Sequence, residues 1–264
     1  VIKPLTKVRE VGKLSKYPLE VAQLFGKEPE LFEEAAELIA TMGFDGIDIN
    51  MGCPAGKVSE HGSGAGMIAT PEVAQNVLKA TRRGAGKLPV SVKTRLGVSD
   101  THEMEEWIEA LMEVKPVVIS LHGRTLRQMY TGKADWKMIA KAAEIVHKRG
   151  GIILGNGDVK TKEEALEKVR QYKVDGVLIG RASFGNPMVF SDKSEPSFEQ
   201  RLEWMVEHAK KYEETFGIEQ FAPMRKHLAW YAKGFEGASE LRKKLVITSS
   251  AKEVEEIVSK LSTI

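Results

Sequence analysis

Asp48-Ile-Asn50-Met-Gly-Cys53-Pro-Ala-Gly-Lys57-Val58 sets an amide, the only cysteine of the chain and a lysine in one short stretch behind an apolar segment. A thiol has a proton to give, so Cys53 can act as an acid; as a thiolate it is a nucleophile. A lone cysteine is also a small buried hydrophobe, and position alone leaves both readings open. Further polar residues close apolar segments elsewhere. Gln23 ends Leu19–Phe25 and carries both a donor and an acceptor. Lys93, flanked by Val92 and Leu96, asks for an anionic partner or an electron-rich ring, because an unpaired buried ammonium is costly. His122 in His122-Gly-Arg124-Thr125 suits proton transfer or donation to a bound ring. Asn156-Gly157-Asp158 and Gly180-Arg181 carry glycines that allow the close backbone approach a phosphate needs. Each has a plainer reading: a satisfied strand-end amide for Gln23, an ion pair for Lys93, a core histidine for His122.

These residues need a scaffold that brings distant strand ends together. Apolar runs at 19–25, 46–50, 89–93, 117–122, 152–154 and 176–179 read as strands. Helices are predicted at 29–42, 71–83, 102–114, 136–149 and 162–171 between them, from 3.6-residue periodicity, Pro29 and Pro71 starts and a Gly43 stop. The strands look near-continuously apolar, which predicts a parallel sheet covered on both faces. Alternating βα units imply a doubly wound sheet or a (β/α)₈ barrel, and six units fall two short of the barrel. Gly62-Ser-Gly-Ala-Gly66 lacks dinucleotide-fingerprint spacing and is expected to be a flexible, close-packed turn beside Cys53. The six histidines and one cysteine show no metal-ligand spacing.

Composition limits the rest. At 42% apolar and 29% charged with net charge +2, the chain has no global pull towards nucleic acid, so any basic surface is local. One cysteine excludes an intrachain disulfide and fits a reducing cytoplasm, and no apolar run is long enough to span a membrane. After Ser194-Glu-Pro-Ser197 the pattern turns helical, at 198–216, 221–233, 237–246 and 251–262. That part holds a basic, aromatic cluster including Arg225, Lys226, His227, Trp230, Tyr231 and Lys233, which without further evidence is a solvated charged face.

Taken together, Asp48-Ile-Asn-Met-Gly-Cys-Pro54, Val92-Lys-Thr-Arg-Leu-Gly97, His122-Gly-Arg-Thr125, Gly155-Asn-Gly-Asp158 and Gly180-Arg181 resemble the signature blocks of the tRNA-dihydrouridine synthases. Met224-Arg-Lys-His-Leu-Ala-Trp-Tyr231 resembles that family's helical domain. The resemblance implies an α/β fold, a (β/α)₈ TIM-type barrel here without its first two strands, plus a C-terminal helical domain. Residues 1–190 would be the incomplete FMN-binding barrel and 191–264 a helical tRNA-binding domain. It implies reduction of the 5,6 double bond of tRNA uridines, with hydride from FMN N5 to C6, a proton from Cys53 to C5, and NADPH as reductant. By the same resemblance Gln23, Lys93, His122, Asn156, Gly157, Asp158, Gly180 and Arg181 would hold FMN. Asn50 and Arg124 would orient the uracil; Lys57, Arg225 and Lys226 would meet tRNA. The implied partners are tRNA and NADPH, with no membrane and no metal, in the cytoplasm. The competing readings are an FMN barrel acting on a free pyrimidine such as dihydroorotate, and a non-catalytic RNA-binding barrel remnant. An aldolase-like phosphate-binding barrel leaves the Asn–Cys pair without a purpose.

Overall fold

The computed structural model describes residues 20–191 and 196–261. The described residues divide into two compact units, one up to Gly180 and a second from Arg181 onwards. The lead-in 1–18 and part of the linker at 194–197 lie outside the described residues.

The first unit is a six-stranded parallel sheet: β1 (Val21–Leu24), β2 (Gly46–Met51), β3 (Val90–Arg95), β4 (Val118–His122), β5 (Ile152–Asn156) and β6 (Gly176–Leu178). Each strand pairs with the next in sequence, in the order β1-β2-β3-β4-β5-β6. A doubly wound sheet reverses direction at a switch point; this one does not, and its order is that of a (β/α)₈-type barrel. The crossovers run through α1 (Pro29–Thr41), α2 (Pro71–Ala85), α3 (Met104–Val114), α4 (Trp136–Lys148) and α5 (Lys162–Tyr172).

Pairing register sorts the side chains by face, because they alternate along a strand. Ile47, Ile49, Met51, Val92, Ile119, Leu121 and Ile153 are fully buried on one face. At about 25 cal/mol per Å² of apolar surface removed from water, this face supplies the adhesion of the unit. The other face carries Gln23, Asp48, Asn50, Ser91, Lys93, Ser120, His122 and Asn156, joined by the partners Gln23↔Asp48, Asn50↔Lys93, Lys93↔Ser120 and His122↔Asn156. The expectation of strands apolar on both faces is therefore corrected. Only one face is buried under helices, and the other is polar towards the strand C-termini. Asp48/Asn50 and Ser91/Lys93 already alternate with isoleucine and valine in the sequence.

The second unit packs α6 (Phe198–Phe216), α7 (Met224–Tyr231), α8 (Ala238–Leu245) and α9 (Ala251–Ser259). Its core is Leu202, Met205, Phe221, Met224, Leu228, Leu245 and Val254. No helix among the described residues is long and apolar enough to cross a membrane.

Candidate active site

Cys53 lies just beyond β2, half-buried, and its backbone is held at both ends. Asn50 Oδ1 accepts from the Cys53 N–H at 2.9 Å and the Gly52 N–H at 3.1 Å, while the Cys53 carbonyl accepts from Ala65 N–H at 3.1 Å. Gly52 is needed here, since an added Cβ would come within 3.3 Å of the Lys93 carbonyl oxygen and Thr94. The stretch expected as a flexible, close-packed turn does pack beside Cys53, and it runs into a 3₁₀ segment, Gly64–Ala69, with Gly64, Ala65, Met67 and Ile68 buried. Gly64 has φ +57°, and a Cβ there would press on the Cys53 carbonyl and side chain at 3.0–3.1 Å. Tight packing explains Gly64 and Gly66, whereas Gly62 takes φ +76°.

Arg95 fastens the same loop from the β3 side. Its guanidinium is buried at 3% exposure and donates to the carbonyls of Gly52 (2.8 Å), Thr125 (3.0 Å) and Met129 (2.9 Å). Burial pushes its pKa down, yet an arginine stays charged. Arg95 thus ties the Cys53 loop to the loop after β4.

Lys93 is half-buried beside Asn50. Its hydrogen bond runs from Nζ to Asn156 Oδ1 at 3.4 Å, and no carboxylate lies within ion-pair distance among the described residues. Burial, reinforced by Arg95 and partly offset by Asp48, lowers its pKa. Asn156 in turn donates to the Leu178 carbonyl at 3.0 Å. His122 is 7% exposed, and burial with Arg95, Lys93 and Arg124 around it pushes its pKa down to about 3. Arg124 Nη1 meets His122 Nε2 at 3.4 Å. A guanidinium only donates, so Nε2 is the acceptor and the neutral ring carries its proton on Nδ1.

This arrangement sets a pH dependence. An unfolded imidazole titrates near 6.5 and takes up a proton that folded His122 refuses until about pH 3. Stability is therefore complete above about pH 6.5 and falls as pH drops towards 3. Between pH 7 and 4.5 the native chain should lose about 2–3 kcal/mol more than His122→Gln. Urea unfolding at both pH values checks this; equal losses would remove His122 as the cause.

Arg124, expected at the substrate, is 2% exposed and engaged with its own loop and Asp158. It pairs with Asp158 at 2.7 Å and donates to the Thr131 and Gly132 carbonyls at 3.0 and 2.7 Å. Asp158, at φ +58°, also accepts from the Ala134 N–H at 2.8 Å. Gly157 is buried with its carbonyl bonded to Trp136 Nε1 at 3.0 Å. Gly180 ends the sheet unit two residues past β6, and Arg181 opens a 3₁₀ turn, Arg181–Ser183, in the helical unit. Lys57 is exposed on the single turn Gly56–Ser59. In the helical unit Lys226 is exposed, whereas Arg225 Nε is bonded to the Thr248 carbonyl at 2.7 Å. Among the described residues no group of three or more His, Cys, Asp or Glu is placed to hold a metal.

The structure thus brings Gln23, Asn50, Lys93, His122 and Asn156 to one face and one end of the sheet, with Cys53 at its rim. Asp48, Ser91 and Arg95 belong to the same assembly and were not singled out from sequence; their two-residue spacing was the available signal. This is the design of a parallel α/β enzyme that works at its strand C-termini.

The profile of the dihydrouridine synthase family matches residues 5–263. The probable tRNA-dihydrouridine synthase of Staphylococcus aureus strain Mu50 is 38% identical over 239 residues, covering 88% of this chain and 72% of that protein. Probable tRNA-dihydrouridine synthase 2 of Bacillus subtilis strain 168 is 36% identical over 239 residues, covering 89% and 73%. The chain belongs to the dihydrouridine synthase family. Among solved structures an old yellow enzyme homologue from Zymomonas mobilis aligns with TM-score 0.45 and 18% identity over 66% of this chain and 54% of that one, too distant to carry an argument.

The family implies a flavin. A planar, electron-accepting ring edged with carbonyl and imide groups calls for neutral amide donors and acceptors and one cation. The polar face supplies them in Gln23, Asn50 and Asn156 and in the Lys93 ammonium, which among the described residues donates to a neutral amide. The donor set fits.

Proposed function

We propose that this chain reduces uridines of tRNA to dihydrouridine, with Cys53 as proton donor to uracil C5. The observation that supports this most is the seating of Cys53: a backbone pinned by Asn50, on the strand paired with that of Lys93, Asn50 facing Lys93 in register.

Gln23, Lys93, His122 and Asn156 would hold FMN, with Gly157 and Gly180 near its phosphate and Arg181 as a further cation. When bound, the flavin supplies the hydride equivalent for uracil C6, and NADPH is the reductant that restores it. Lys93 offers positive charge to the electron-rich reduced ring. Neutral His122 offers hydrogen-bonding capacity without adding a second cation. Asn50 presents an amide beside the thiol to orient the uracil. Arg124 and Asp158 serve by bracing the loops around His122. The Cys53 S–H gives its proton to C5, and the thiolate left behind is reprotonated from solvent.

A uridine must leave its stack to reach such a site, at a cost of a few kcal/mol. Phosphate contacts from the exposed cations Lys57 and Lys226, and from half-buried Arg225, offset that cost and favour tRNA over a free pyrimidine. The working compartment follows the substrate, the cytoplasm. Gel-shift titrations of unmodified tRNA across about 50 to 200 mM salt should show affinity falling tenfold or more, as counterion release requires. Dihydroorotate at millimolar level should not compete. A flat salt response with competition by the free pyrimidine would transfer the site to the small-molecule reading.

A further inference from the structure

Asp48 is a half-buried carboxylate on the polar face of β2 that the reaction as described leaves unused. Among the described residues no cation lies within ion-pair distance of it. One oxygen accepts from Ser91 Oγ at 2.6 Å, the other from Gln23 Nε2 at 2.7 Å. Gln23 Oε1 accepts from Asn50 Nδ2 at 3.0 Å, and Asn50 Oδ1 accepts from the Gly52 and Cys53 N–H groups. The result is one continuous hydrogen-bond chain, Ser91–Asp48–Gln23–Asn50–Cys53, crossing β3, β2, β1 and β2 again.

Its direction is settled from both ends. Backbone N–H groups only donate, so Asn50 must turn Oδ1 to the Cys53 loop and Nδ2 to Gln23. Gln23 must then offer Oε1 to Asn50, which sends Nε2 to position 48. An ionised carboxylate only accepts, and Asp48 stands where that Nε2 arrives. The two ends agree, so no amide in the chain has an alternative flip. Gln23 is exposed and would otherwise be free to swing into water.

We infer that Asp48 is a positioning residue for the proposed reaction: it anchors Gln23, Gln23 anchors the Asn50 amide, and Asn50 holds Cys53 at its place on the rim. This deepens the reading of Cys53 as acid and rests on it for the kinetic arm alone. Asp48 also fixes which edge of Gln23 remains for a bound ring.

The uniqueness of Cys53 provides a reporter that needs neither cofactor nor tRNA. The rate of Cys53 labelling by a small aromatic disulfide is measured for the native chain, Asp48→Leu and Asp48→Asn, with melting temperatures alongside. Asp48→Leu keeps the shape and deletes the acceptor; labelling should rise about fivefold to tenfold, the factor one ordinary hydrogen bond is worth. Asp48→Asn keeps an acceptor for Gln23 and can turn its amino group to the Ser91 oxygen, so it should label within about twofold of the native chain. In turnover, Asp48→Leu should lower kcat by about tenfold at unchanged KM for tRNA, and Asp48→Asn should restore it. If Asp48→Leu does not fold, Gln23→Met breaks the chain at an exposed position and should give the same faster labelling. Native labelling in a folded Asp48→Leu or Gln23→Met, or equal defects in Asp48→Leu and Asp48→Asn, would overturn the inference. A native protein that labels as expected but forms no dihydrouridine would instead contradict the functional reading.

Discussion

Cys53→Ala should lower dihydrouridine formation by about a hundredfold to ten-thousandfold, the range a positioned proton donor contributes. Flavin retention and oxidation of the reduced nicotinamide should stay near native. The structure makes the separation clean. Cys53 itself is held through its backbone, its N–H to Asn50 Oδ1 and its carbonyl to Ala65 N–H, and neither bond involves the sulfur. Alanine keeps both, so the substitution removes an acid and little else. Mass analysis of the tRNA nucleosides reports product, and absorbance at the nicotinamide band reports the other half-reaction. Equal loss in both would mean that Cys53 supports the fold of the site rather than the proton transfer.

Lys93→Met should show the opposite combination of stability and function. The native ammonium is desolvated, its pKa lowered by burial, and it makes one long hydrogen bond to Asn156. A thioether of similar length removes a cation that is costly to bury, so the flavin-free protein should be as stable as native or more stable by about 1 kcal/mol. Flavin affinity should fall by roughly tenfold to a hundredfold, as loss of a charge-assisted hydrogen bond to a ligand would bring. Stability gained where binding is lost marks a residue kept for function. Urea unfolding of the flavin-free chain and a fluorescence titration with FMN give the two numbers. A destabilised Met variant with native flavin affinity would make Lys93 structural.

Much of the scaffold was legible because periodicity and punctuation agreed. Pro29 and Pro71 open α1 and α2, and Gly43 at φ +76° follows the first helix, as local chemistry requires. Strand ends shifted by a residue or two; β3 runs on to Arg95 and β5 to Asn156, because polar side chains continue the ladder past the apolar run. What the sequence concealed was pairing at long range. Arg124 reads as a free strand-end cation, yet its partner Asp158 is 34 residues away and its other donors go to two loop carbonyls and the His122 ring. Arg95 likewise meets three carbonyls that no motif marks. The alternation of Asp48 with Asn50, and of Ser91 with Lys93, was visible, but the isoleucines and valines between them drew the strands towards an all-apolar reading. Arg225 shows the same limit in the helical unit, where its Nε anchors Thr248 in the packing.

The proposed chemistry is that a polar sheet face with one thiol at its rim directs the addition of two hydrogens to a nucleobase. It is tested most directly by incubating the purified chain with FMN, reduced nicotinamide and tRNA lacking modifications, then weighing the nucleosides. Uridine converted to a species heavier by two hydrogens, in the presence of the native chain and not of Cys53→Ala, is the expected result. Unaltered uridine from a flavin-loaded, folded native protein would contradict it.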